Sequence, residues 1–139
     1  YKPLGSSAIK ISGHIAEVWL EFGPKQGKWF GLDSGAEQNL LSNNAGKRFL
    51  KSNFQILRRV KLNGAGQTSI EVLSGNLQNG RVDTFTLRPM ATLLTNLREI
   101  NASYETQLDG ILGYEFLSQR PVSINYKRRR ITFYEALRP

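Results

Sequence analysis

At 139 residues, 40% hydrophobic and with thirteen glycines, the chain is long enough for one globular domain with a single core, and it contains no apolar run of membrane-spanning length. It has no cysteine and one histidine, His14, which excludes disulfides, thiolate nucleophiles and a multi-histidine zinc site within one chain and confines any Ser-His-Asp triad to His14. The net charge of +8 favours acidic partners, but the cations form blocks only at Arg58-Arg59 and Lys127-Arg128-Arg129-Arg130, each read as a solvated strand or loop face.

The pattern is mostly β. Residues 8–11 alternate weakly. Residues 15–22 alternate better, with Ala16, Val18, Leu20 and Phe22 on one face and Glu17, Trp19 and Glu21 opposite. His14 falls beside Gly13 in the connection between them and reads as a loop residue. The cluster Gly23-Pro24-Lys25-Gln26-Gly27 is a turn, and residues 28–32 return as a second strand that delivers Asp33. Trp19 and Trp29 are placed to face one another across this hairpin. Residues 43–51 are expected to form a short helix capped by Ser42 or Asn43.

Residues 54–62 read as a strand with Ile56, Arg58, Val60 and Leu62 on one side, where Arg58 interrupts the apolar alternation. Asn63-Gly64-Ala65-Gly66-Gln67 is a glycine-rich turn, and residues 68–73 resume the strand. A further turn region spans 75–80, residues 81–87 alternate, 90–97 form an apolar strand, and 98–108 read as polar loop. Ile111 and Leu112 lead into Gly113, residues 114–118 form one or two helical turns, and 122–126 with 130–134 make a C-terminal hairpin. Many short strands with one or two short helices predict a mainly β fold, closed into a barrel or folded as a sandwich.

Two motifs carry the chemistry. The first is the apolar strand that ends in Asp33-Ser34-Gly35-Ala36, and the second is Ile111-Leu112-Gly113. Peptide hydrolysis by carboxylates needs two of them sharing a proton: one accepts a proton from the attacking water, the other donates to the scissile carbonyl oxygen. The carboxylate must sit on a rigid turn beside its twin. Gly35 lacks a Cβ and lets two turns approach, Ser34 offers a hydroxyl to bond across the pair, and Ala36 stays small where space is short. Asp109, which precedes Gly110, reads as a turn-former rather than a second carboxylate, and Glu37 as a solvated side chain near the turn.

Together these segments resemble the retropepsin-like aspartic proteases, in particular the bacterial and cellular single-lobe members, over most of the chain. The resemblance implies one domain over residues 1–139, excised from a longer chain, and a homodimer in which Asp33 and its symmetry mate form the catalytic dyad. It implies that Ser34, Gly35 and Ala36 support the catalytic loop, that Gly64, Ala65 and Gly66 form a flap over an extended peptide or protein substrate, and that Ile111, Leu112 and Gly113 form the second hallmark. No metal, cofactor, nucleic acid or membrane span is expected, and a secreted or periplasmic origin follows from the resemblance alone.

The leading function is therefore aspartic endopeptidase. The alternative is a catalytically silent domain of the same fold that binds peptide or dimerises, since folds are reused for other work. Nucleic-acid binding through the basic face ranks last, because no aromatic residues interleave with the Lys127 to Arg130 cluster.

Overall fold

The computed structural model describes residues 2–24, 26–63 and 69–136. Twelve strands and three short helices follow the chain. Strands β1 (Pro3–Ser12), β2 (Ile15–Glu21), β3 (Gly27–Leu32) and β4 (Asn39–Ser42) come first, then helix α1 (Lys47–Asn53). The long pair β5 (Phe54–Asn63) and β6 (Ser69–Leu77) is followed by the two-residue strands β7 (Arg81–Val82) and β8 (Phe85–Thr86), then β9 (Met90–Thr95) and α2 (Arg98–Tyr104). The chain closes with β10 (Gly110–Leu112), α3 (Tyr114–Leu117), β11 (Val122–Asn125) and β12 (Arg130–Tyr134).

Pairing runs along one path, β11-β12-β1-β2-β3-β10-β4-β9-β6-β5, with the β7–β8 hairpin attached to β2. The mainly β expectation is met. The path is open, however: among the described residues no pairing joins β11 to β5, so the sheet is not closed into a barrel. β1 divides its length between partners. Residues 3–8 pair with β12 and residues 9–12 with β2, which lets the C-terminal hairpin fold back over the core.

One face of the sheet carries the main core. Val18, Leu20, Phe30, Leu41 and Leu112 pack there with Phe116, Ile131 and Phe133, and each is essentially buried. Full burial of such a side chain contributes about 1.5–3 kcal/mol. Phe133 meets Phe116 edge-on at 5.2 Å and Phe85 at 5.1 Å, which fixes α3 and the β7–β8 hairpin to the C-terminal strand. A second, smaller cluster of Ile15, Leu108 and Ile111 lies beneath α2, with Leu40 and Ile100 against it.

Several expectations shift. Residues 39–42, unassigned in the sequence reading, form β4, and the segment read as polar loop forms α2. Helix α1 begins at Lys47, after Gly46 at φ 100°, with no side-chain cap; the Ser42 hydroxyl instead accepts the Asn44 N–H at 3.1 Å. Gly75 lies within β6, where a Cβ would fall against the Gln55 carbonyl, so the turn begins later. Glu17, read on the outer face, is buried with its carboxylate 3.9 Å from Lys10.

The interruption at Arg58 is a β-bulge. Ile56 pairs with Gly75 and Arg58 with the adjacent Ser74, so Leu57 is the extra residue. The bulge reverses the alternation, and Ile56 stands on the face opposite Arg58 and Val60 rather than sharing theirs.

Candidate functional site

β3 ends at Leu32 and hands the chain to Asp33 on a tight turn. The Gly35 N–H donates to Asp33 Oδ1 at 3.0 Å and the Ala36 N–H to the Asp33 carbonyl at 3.1 Å, the self-bonding of an Asx turn. Asp33, Ser34 and Gly35 are exposed, and Ala36 is half-buried. Among the described residues no lysine or arginine forms an ion pair with Asp33.

β10 sits between β3 and β4, parallel to the first and antiparallel to the second, and so backs the turn from a distant part of the chain. Leu112 aligns with Leu32 and Ile111 lies between Gly31 and Leu40. Two hydrogen bonds stitch the two motifs together, and a third ties the second motif to β4. Asp33 N–H donates to the Leu112 carbonyl at 2.9 Å, Tyr114 N–H to the Ala36 carbonyl at 2.9 Å, and the buried Gly113 N–H to Asn39 Oδ1 at 2.9 Å. A Cβ on Gly113 would run into the Ala36 carbonyl, and one on Gly110 into the Leu40 carbonyl. Glycine at these two positions is thus a demand of close backbone approach.

Asn39 is the supporting residue that the sequence did not reveal. It opens β4, is fully buried, and donates from Nδ2 to Met90 Sδ at 3.4 Å while its Oδ1 takes the Gly113 N–H. It thereby holds the far side of the Asp33 turn to the sheet.

A groove of about 500 Å³ opens beside the turn. Asp33 and Glu37 stand at its polar margin, Leu40, Leu93 and Ile111 form its sheet wall, and Ile100 and Tyr104 of α2 line it from the other side. The α2 contribution is not legible in the sequence, because that segment lacks an apolar stripe.

Asp109 is remote from this arrangement. Its carboxylate accepts the Trp29 N–H at 3.2 Å and lies 4.0 Å from Lys28 Nζ. It stands beside Trp29, four residues before Asp33 on β3, or about 13 Å along a strand. Trp19 and Trp29 do meet, edge to face at 5.2 Å, and His14 is exposed at the β1–β2 turn. Gly64, Ala65 and Gly66 lie outside the described residues. Among the described residues no three His, Asp or Glu side chains gather as a metal site, and no helix is long and apolar enough to cross a membrane.

One exposed carboxylate on a turn braced at both ends can hold a water by accepting its hydrogen bond, and Glu37 is the other acid at the margin of the same groove. No family model matches the chain, and no curated protein does. Among solved structures the chain is similar to a retropepsin-like aspartic protease from Rickettsia conorii, with a TM-score of 0.44 and 13% identity over 92% of this chain and 88% of that one.

Proposed function

We propose that the chain is one half of an aspartic endopeptidase and that two copies bring their Asp33 turns together to form the catalytic pair. The observation that carries this reading is the bracing of the exposed Asp33 turn by β10, through Asp33 N–H to Leu112 and Tyr114 N–H to Ala36. A turn whose only task was to reverse the chain would need neither the bracing nor an exposed acid at its apex.

In the proposed pair the two carboxylates hold one proton between them, because like charges so close do not both ionise. The ionised carboxylate takes a proton from the bound water as its oxygen attacks the scissile carbonyl carbon. The protonated one gives its proton to the carbonyl oxygen. As the tetrahedral intermediate collapses and the C–N bond breaks, the carboxyl that took the water's proton gives it to the leaving nitrogen, and the other carboxylate takes a hydroxyl proton back from the intermediate, which restores the pair. Ser34 of each copy bonds across the two-fold axis and fixes the separation of the acids. The substrate lies extended along the Asp33 groove, with apolar side chains against Leu40 and Ile111.

The test is cleavage of an unfolded protein by the wild-type chain and by Asp33→Asn, with sedimentation equilibrium of both. The expected result is a dimer whose cleavage is blocked by a pepstatin-type inhibitor and falls at least about a thousandfold in the variant, whose fold and association persist. Full activity in Asp33→Asn would end the proposal. A monomer that cleaves nothing at any pH would instead mark a silent binding domain.

A further inference from the structure

Between Glu37 and Glu71 the sequence has no acidic residue and six basic ones, Lys47, Arg48, Lys51, Arg58, Arg59 and Lys61. The fold gathers them at one end of the sheet. Three lie on α1, the other three on β5 directly after it, and all six are exposed. Among the described residues Arg59 alone of the six pairs with an acid, Glu71 at 3.9 Å, and both partners of that pair are open to solvent, so the charge is scarcely neutralised.

The same place exposes apolar surface. Ile56 and Leu57 are 58% and 59% exposed and are the large aliphatic side chains most open to solvent among the described residues. Leu57 is the extra residue of the bulge, without a partner across the ladder, and Ile56 stands opposite Gly75, which has no side chain to cover it. Phe54 shares a face with Ile56 and is buried in the same core as Phe49 of α1, the helix that runs directly into β5. Arg59 and Lys61 continue along the same face beyond the bulge.

We propose that this α1–β5 edge docks on an anionic lipid bilayer, with Ile56 and Leu57 entering the headgroup boundary and Arg59, Lys61 and the cations of α1 seated on lipid phosphates. Cations around a small protruding apolar pair match such a surface in both respects, since the charges draw the protein down and the aliphatic groups leave water. An added peptide strand fits less well, because a bulge and clustered charge on an edge strand obstruct further pairing. Nucleic acid fits less well too, because the patch offers no exposed aromatic ring for base stacking. The proposal does not depend on Asp33.

The experiment is co-sedimentation of the whole chain with vesicles of phosphatidylcholine, alone or with about a third phosphatidylglycerol. Binding is expected to the anionic vesicles, to weaken as salt is added, and to be slight on neutral ones. The double variant Arg59→Gln with Lys61→Gln should lower partitioning at least about tenfold. Glutamine is chosen because a glutamate at 59 would face Glu71. Leu57→Ser should lower partitioning several-fold while leaving the salt dependence, and all variants touch exposed side chains, so circular dichroism should match wild type. The control, Lys127→Gln with Arg128→Gln, removes equal charge from the β11–β12 turn and should leave partitioning within about twofold. A control that weakens binding as much as the patch variants would overturn the proposal, as would equal binding to both vesicles or none to the anionic ones. Displacement from vesicles by polyuridine RNA at lower concentration would overturn it in favour of a nucleic-acid surface.

Discussion

Asn39 holds two long-range partners with one amide, and its removal separates support of the turn from the turn itself. Asn39→Ala takes the acceptor from the buried Gly113 N–H, and an unsatisfied buried donor costs about 1–3 kcal/mol. The urea midpoint should fall accordingly with the slope unchanged. An unchanged midpoint would mean that the Gly113 N–H finds another acceptor. The contrast with Asp33 shows what single residues disclose. Asp33-Ser34-Gly35-Ala36 is legible because its turn is built from bonds within the motif, and Gly113 is legible as the end of an apolar pair. Asn39 is not, because its partners lie 51 and 74 positions away and nothing local marks an asparagine for burial.

Helix α2 shows the same limit at the scale of an element. Among residues 98–104 only Ile100, Ala102 and Tyr104 are apolar, too few for a helical stripe, and the helix has no side-chain cap. It forms because the tertiary structure supplies what the segment lacks. Ile100 packs on the Ile15, Leu108 and Ile111 cluster, and Asn101 ties the helix to the following loop through Leu108 N–H, Leu108 carbonyl and the Thr106 hydroxyl. Asn101→Ala should release those three bonds together. Amide exchange in α2 and at Leu108 should then accelerate by about tenfold or more while exchange in β2 and β3 stays slow, which hydrogen-exchange mass spectrometry reads directly. Equal protection in the variant would show that Ile100 packing alone holds the helix. Hairpins such as β2–β3 and β11–β12 were legible because alternation and turn chemistry are local. β4 was not: its four residues take their pairing from β9 and β10, both remote in sequence.

At the scale of the molecule, the decisive feature is that one chain presents one braced acid. The β character follows from alternation, but the sheet order depends on β10 entering between β3 and β4, and the open path depends on which edges remain unpaired. Neither is written in any single segment. If two copies share the site, activity must depend on assembly in a way that a self-contained enzyme cannot imitate. Wild-type chains diluted below the association constant should lose specific activity, and added excess Asp33→Asn chains should poison the remainder. With equal amounts of the two and random exchange, only about a quarter of the dimers carry two native acids, so activity should fall to about a quarter of that of the same total of wild-type chains. A chain that held its whole site alone would retain half. The two outcomes differ by a factor of about two, which initial-rate assays after subunit exchange resolve, and a linear dependence on the wild-type fraction would place both catalytic groups within one chain.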